Sequence, residues 1–171
     1  MKLDYCSTYK YFGVVFDEHL NFKENAVCLP QSGSRALGSI VAKYKKNTFI
    51  GFSTYTKIYN SCVCPIIDYG SAVWGYNMYK EIDKVQQKAQ RIFMGVHRFA
   101  PLLGLEGDTG WLSPKHRRWI EMIRFWNRML LTQDNRLVKQ LFAYDYERCE
   151  RGKNNWCSNV KEIFYKIDLS E

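Results

Sequence analysis

The chain has 171 residues, of which 46% are hydrophobic and 16% aromatic. That is enough apolar material for a packed core, and it excludes intrinsic disorder as the default state. The formal net charge is +8, and residues 1–131 hold 18 Lys and Arg against 10 Asp and Glu, while residues 132–171 hold 7 against 7. A basic, aromatic-rich body points to nucleic acid, because cations meet phosphates and rings stack on bases. The competing reading is a solvated surface that only keeps the chain soluble.

Residues 1–8 form a short lead. Tyr9 to Phe16 is aromatic and β-branched, which predicts a strand with a bulge at Gly13. Asp17-Glu18-His19 turns the chain, and Leu20-Asn21-Phe22 is expected to pair back as a short partner strand. Asn25 to Lys46 reads as helix interrupted at Pro30 and Gly33, since proline inside a helix costs about 3 kcal/mol. The helix therefore begins near Gln31 or kinks. Leu37, Ile40, Val41 and Tyr44 share one face, with Arg35, Lys43, Lys45 and Lys46 gathered around it. Ser53 is expected to cap a helix whose Tyr55, Ile58, Tyr59 and Cys62 share a face, closed or kinked by Pro65.

Pro65 to Gly75 is a compact apolar knot. After it, Ile82, Val85, Ala89, Ile92, Phe93 and Val96 recur at helical spacing, with a stop at Gly95. Lys84, Gln87, Lys88 and Arg91 fall between them, so this helix has a cationic outer face. Val96 to Gly110 carries Pro101, Gly104 and Gly107 and reads as irregular. Ser113-Pro114 starts a helix that runs to about Leu131. Trp119, Ile120, Met122, Ile123, Trp126, Met129 and Leu130 give it a wide apolar surface. Arg117, Glu121, Arg124 and Arg128 make one stripe, which Glu121 can partly neutralise. Lys115-His116-Arg117-Arg118 opposes the helix dipole at the N-terminal end, a placement that favours an anionic partner over a purely structural role. Asn135 to Tyr144 reads as a short helix with Leu137, Val138 and Leu141 inward. Tyr146 to Asn155 is a polar linker, and Trp156 to Ile167 a last helix with Val160, Ile163, Phe164 and Ile167 in register. The fold class is mainly α: a helical single domain with a small N-terminal β-strand or hairpin. Residues 1–22 form the strand region, 23–145 the helical body and 146–171 a neutral tail.

Of the six cysteines, Cys62 and Cys64 lie close together, and His97 and His116 invite a zinc reading. No second close pair completes a zinc-finger spacing, so buried, reduced thiols in an intracellular (nuclear or cytoplasmic) protein are expected. No cofactor is implied. There is no Gly-x-x-x-x-Gly-Lys loop, no Gly-x-Ser-x-Gly elbow and no Asp-Asp pair. Asp17-Glu18 is an acidic pair in a turn, with no third carboxylate in view.

Several motifs stand in a recognisable order. Pro65-Ile66-Ile67-Asp68-Tyr69-Gly70 leads to Trp74-Gly75, then Lys84-Val85-Gln86, then Gly95-Val96-His97-Arg98-Phe99-Ala100-Pro101 and Gly110-Trp111-Leu112-Ser113-Pro114. Together with Tyr9–Asp17 and Arg35-Ala36-Leu37-Gly38, this string resembles the reverse transcriptases of non-LTR (LINE-type) retrotransposons, in the thumb and the segment beyond it. The resemblance covers roughly residues 8 to 142, and Phe12 stands where leucine is more usual. It implies that the first strand ends a palm, near the primer grip, and that the helix from Arg35 is a thumb following a primer–template minor groove.

A polymerase needs carboxylates to hold two metal ions, and the family carries them upstream of the region seen here. The chain alone is therefore expected to be no enzyme, with no catalytic or metal-binding residues. It is expected to bind RNA or an RNA–DNA duplex weakly and without sequence preference. The residues expected to carry this are Lys43, Lys45, Lys46, Lys84, Lys88, Arg91, Lys115, Arg117, Arg118, Arg124 and Arg128. The alternatives are a protein-interaction piece that completes a separate palm, or a functionless remnant of a decayed retroelement. No membrane is expected as a partner, because no apolar run approaches a membrane span.

Overall fold

The N-terminal sheet is a hairpin. In the computed structural model, which describes residues 5–46 and 50–168, β1 (Thr8–Tyr11) pairs antiparallel with β2 (Val14–Asp17), Tyr9 opposite Phe16 and Tyr11 opposite Val14. The expected single strand is thus cut in two. Phe12 and Gly13 both take positive φ, 45° and 85°, the two-residue turn whose twist suits a hairpin. Leu20-Asn21-Phe22 is no strand. Asp17 Oδ1 accepts the His19 and Asn21 amides at 2.9 and 3.0 Å and curls the chain instead. Asn21 Oδ1 then receives the Lys23 amide at 3.0 Å, where the first helix starts.

That helix, α1 (Lys23–Lys46), runs unbroken through Pro30 and Gly33. The expected interruption is overridden by packing. Pro30 and Gly33 are both buried, and a Cβ on Gly33 would sit 2.3 Å from Ile67 Cγ2. Gly33 is therefore not a breaker but the notch that admits α3 (Cys64–Ile67). Ile67 is fully buried and cannot retreat. Gly33→Ala should lower the urea midpoint, because overpacking of about 1–3 kcal/mol outweighs a helix-propensity gain of about 1 kcal/mol. Gly38→Ala, in the same helix with nothing within 4 Å of its Cβ, should raise the midpoint instead. A raised midpoint for Gly33→Ala would contradict this packing.

The described residues fall into two compact units. The first takes the chain up to Tyr69 and then Tyr79–Pro114; the second takes Gly70–Met78 and the chain from Lys115 onward. The first unit holds the hairpin, α1, α2 (Phe52–Cys62) and α3; α5 (Lys80–Met94) and α6 (Leu102–Thr109) complete it. Gly51, rather than Ser53, precedes the first turn of α2. Tyr55 and Tyr59 point inward at 1% exposure and join Phe93 and Trp111 in an aromatic stack, with Tyr59 and Trp111 ring centroids 4.4 Å apart. Tyr55 donates its hydroxyl to Ala89 O at 3.0 Å, and burial pushes its pKa up to about 12. The region from Val96 to Gly110, expected to be irregular, contains α6. Pro101 precedes its first turn, Gly110 closes it at φ 60°, and Gln90 Nε2 ties Thr109 Oγ1 at 2.8 Å.

The second unit is built from α4 (Ser71–Trp74), α7 (Pro114–Leu131) after its first residue, α8 (Leu137–Glu150) and α9 (Trp156–Lys166). Its core is Trp119, Met122, Trp126, Cys157, Val160, Ile163 and Phe164. Gly75 lets α7 come close: a Cβ there would lie 2.5 Å from Ser71 O and 2.8 Å from Arg118 Cβ. Trp119 Nε1 donates to Tyr76 O at 3.0 Å and Trp156 Nε1 to Ala72 O at 2.8 Å, which fasten α7 and α9 to this segment. The first half of the expected linker, from Tyr146, is helix, since α8 continues to Glu150. Its inward face is also not the expected one. Leu137, Val138 and Leu141 are exposed, while Phe142, Tyr146 and Cys149 pack on the core. A capping box starts α9, with Asn155 Oδ1 accepting Ser158 N and Ser158 Oγ accepting Asn155 N, both at 2.9 Å. The fold is mainly α with a small N-terminal hairpin. No described helix is long and apolar enough to cross a membrane.

Candidate nucleic-acid interface

Helix α5 sorts its side chains by period. Ile82, Val85 and Ala89 are buried, and Lys84 and Lys88 stand on the opposite side with Arg91 half-buried one turn on. Gly95, at φ 64°, ends the helix, and its N–H returns to Arg91 O. The chain then folds back along α5. Ala100 N donates to His97 O at 2.9 Å, and Arg91 Nη2 donates to Ala100 O at 3.3 Å, which ties the loop down.

Between helix and loop lies a groove of about 520 Å³. Its lining carries four cations, Lys84, Lys88, Arg91 and Arg98, together with Gln87 above an apolar floor of Ile92 and Val96. Among the described residues that line it there is no carboxylate. Lys84 has an acidic neighbour outside the lining, Glu81, whose Oε1 lies 2.6 Å from Lys84 Nζ. Both side chains are more than half exposed, so this pair holds Lys84 only weakly. Arg98 is a cation that helical spacing does not point to. The glycine stop marks where the chain leaves the helix, and the Arg91–Ala100 bond, which spacing does not show, brings the next cation back over it.

The other cations expected to meet phosphate separate into different settings. Lys43 is exposed on α1, and the side chains of Lys45 and Lys46 lie outside the described residues. On α7, Arg124 and Arg128 are exposed, but Arg124 Nη1 pairs with Glu121 Oε1 at 2.5 Å, the partial neutralisation that the spacing allows. Lys115 Nζ lies 4.3 Å from the Trp119 ring centroid, and Arg117 is half-buried. Arg118 is a correction. It is fully buried, its Nη2 donates to Asn77 O at 3.3 Å, and its guanidinium lies 5.8 Å from the Trp74 ring centroid. It cannot meet a phosphate on the surface. Adjacent helical residues point about 100° apart, so Arg117 and Arg118 could not share one face.

The remaining chemistry is structural. Asp17 is spent on its turn, and the Glu18 carboxylate accepts the Tyr5 hydroxyl. Cys62 is exposed while Cys64 is buried, and among the described residues no three His, Cys, Asp or Glu side chains gather to hold a metal ion. Cys157 sits in the second unit's core, where burial and the nearby Asp145 carboxylate push its thiol pKa far up, so it stays protonated. Comparison with family models, with curated proteins and with solved structures finds no match for the chain.

Proposed function

We propose that this chain is the thumb and post-thumb part of a reverse transcriptase of the non-LTR type. On this reading it does no catalysis by itself and binds RNA or an RNA–DNA duplex through phosphates. The observation that carries the binding reading is the α5 groove, where four cations line one concave surface with no carboxylate among its described lining residues. Phosphates suit such a surface because each one neutralised releases condensed counterions, and arginine can bridge two phosphate oxygens. The motif string from Pro65 to Pro114 carries the family assignment.

The test is a salt titration. Lys84→Gln, Lys88→Gln and Arg98→Gln combined should flatten the slope of log affinity against log salt, by about 0.9 for each duplex phosphate the variant no longer neutralises. Arg91 is spared because it ties the loop. Base preference should not change, since phosphate contacts position without reading sequence. A triple variant that melts like wild type and keeps the wild-type slope would remove the groove from the binding surface.

The hairpin supports a second reading, a protein contact. The described sheet has two strands, and β1 presents Tyr9 and Tyr11 at 62% and 55% exposure. A separate palm sheet could extend such an edge by strand pairing.

A further inference from the structure

At the end of the α5 groove a phenylalanine is held out in water. Phe99 is 75% exposed, yet the loop that carries it is fixed at several points. Gly95 caps the helix, Ala100 is bonded from both sides, and Phe99 N donates to His97 Nδ1 at 3.4 Å. The Arg98 guanidinium, itself part of the groove lining, sits over one face of the ring at 4.6 Å from its centroid. The His97 ring lies tilted at 48° with its centroid 5.1 Å from that of Phe99, and with 75% of the residue still exposed the cation and the imidazole make a half-built stack.

We propose that the groove takes a single strand of nucleic acid rather than a duplex, with phosphates along Lys84, Lys88 and Arg98 and one base stacked on Phe99. This rests on the phosphate-binding reading above and narrows it, keeping single-stranded RNA as the groove's ligand and setting the duplex aside. Lys84 and Lys88 are four residues apart, about 6 Å along the helix, close to the repeat of an extended sugar–phosphate chain. The Phe99 ring needs an accessible base face. A duplex covers the faces of its bases and offers only their edges, so it would leave the ring against sugar or water. Ring stacking accepts any base, which fits a groove lined by four cations and one amide, Gln87.

The experiment measures affinity by fluorescence anisotropy, with the full chain and three probes of roughly 15 nucleotides, a length near the upper single-fold site size. The probes are oligouridylate, a strand of equal length with abasic sites throughout, and an RNA duplex. The wild type should prefer oligouridylate to the abasic strand and to the duplex by about tenfold, the scale of one base–aromatic stack. Phe99→Ala should erase that preference without changing the salt slope, and Phe99→Trp should keep it. The exposed position makes a folding defect easy to separate by thermal melting. Equal affinity for the oligouridylate and abasic strands, tighter binding to the duplex, or an undiminished preference in Phe99→Ala overturns the stacking inference. If those strands still bind with a steep salt dependence, the phosphate reading stands alone. Failure to bind any of the three overturns both.

Discussion

Trp126→Ala should cost the second unit about 3–5 kcal/mol, the range for deleting a large buried aromatic. The indole is 4% exposed and stands at the centre of a ring cluster. Its centroid lies 5.1 Å from Phe142 and 5.9 Å from each of Tyr146, Trp156 and Phe164. Those rings come from α8 and α9, so Trp126 is where α7 grips both. A body of this size is stabilised by only several kcal/mol in total, and the loss should leave the unit largely unfolded at body temperature. Urea denaturation followed by near-ultraviolet circular dichroism would show it. Trp126→Phe, which keeps an aromatic ring, should recover much of the stability. A Trp126→Ala protein within about 1 kcal/mol of wild type would mean the cluster is not the core.

Arg118→Ala should behave in the opposite way to the exposed arginines of the same helix. It removes a large, fully buried side chain and leaves Asn77 O without that donor, so stability should fall by about 3 kcal/mol. The salt slope of nucleic-acid binding should stay where it was. The pair Arg124→Ala with Arg128→Ala should do the reverse if both touch phosphate, flattening the slope by about 2 units while melting close to wild type. Thermal melts and salt titrations on the same samples separate the two cases. A flatter slope for folded Arg118→Ala would place its guanidinium at the surface after all.

Position 118 also shows where sequence reasoning reaches its limit. The spacing 117, 121, 124, 128 puts these residues along one side of the helix, with Arg124 and Arg128 exposed and Arg117 half-buried, but charge type alone does not extend it to a neighbour, because a one-residue step changes the helix face. Helix α8 repeats the lesson with apolar residues. Leu137, Val138 and Leu141 are apolar, yet Phe142, Tyr146 and Cys149 recur at four- and three-residue steps and carry the packing. The period is legible there; residue type outvotes it. Pro30 and Gly33 mislead for another reason. Local propensity opposes helix at both, and the burial of α1 against α3 wins, a term no short window contains. By contrast α5 is readable almost throughout. Its apolar and cationic residues alternate at strict helical spacing, and Gly95 sits where the left-handed stop is needed. What cannot be read is the path after that stop, because the direction of a returning loop depends on hydrogen bonds such as Arg91 to Ala100 that join residues across the turn.

The way Gly70–Met78 is lent to the second unit has a consequence for synthesis. Ala72 and its partner Trp156 are 84 residues apart. A ribosome adding about 5–20 residues per second leaves that segment waiting several seconds before α9 can reach it. The Tyr76 carbonyl and Trp74 meet Trp119 and Arg118 once α7 is made, but the Ala72 carbonyl still waits for Trp156. Neither unit is a contiguous stretch of the gene: a cut after Pro114 frees the first unit only with Gly70–Met78 still attached and parted from its partners. An insertion between residues 79 and 114 falls in the first unit and also lengthens the chain that joins the two pieces of the second.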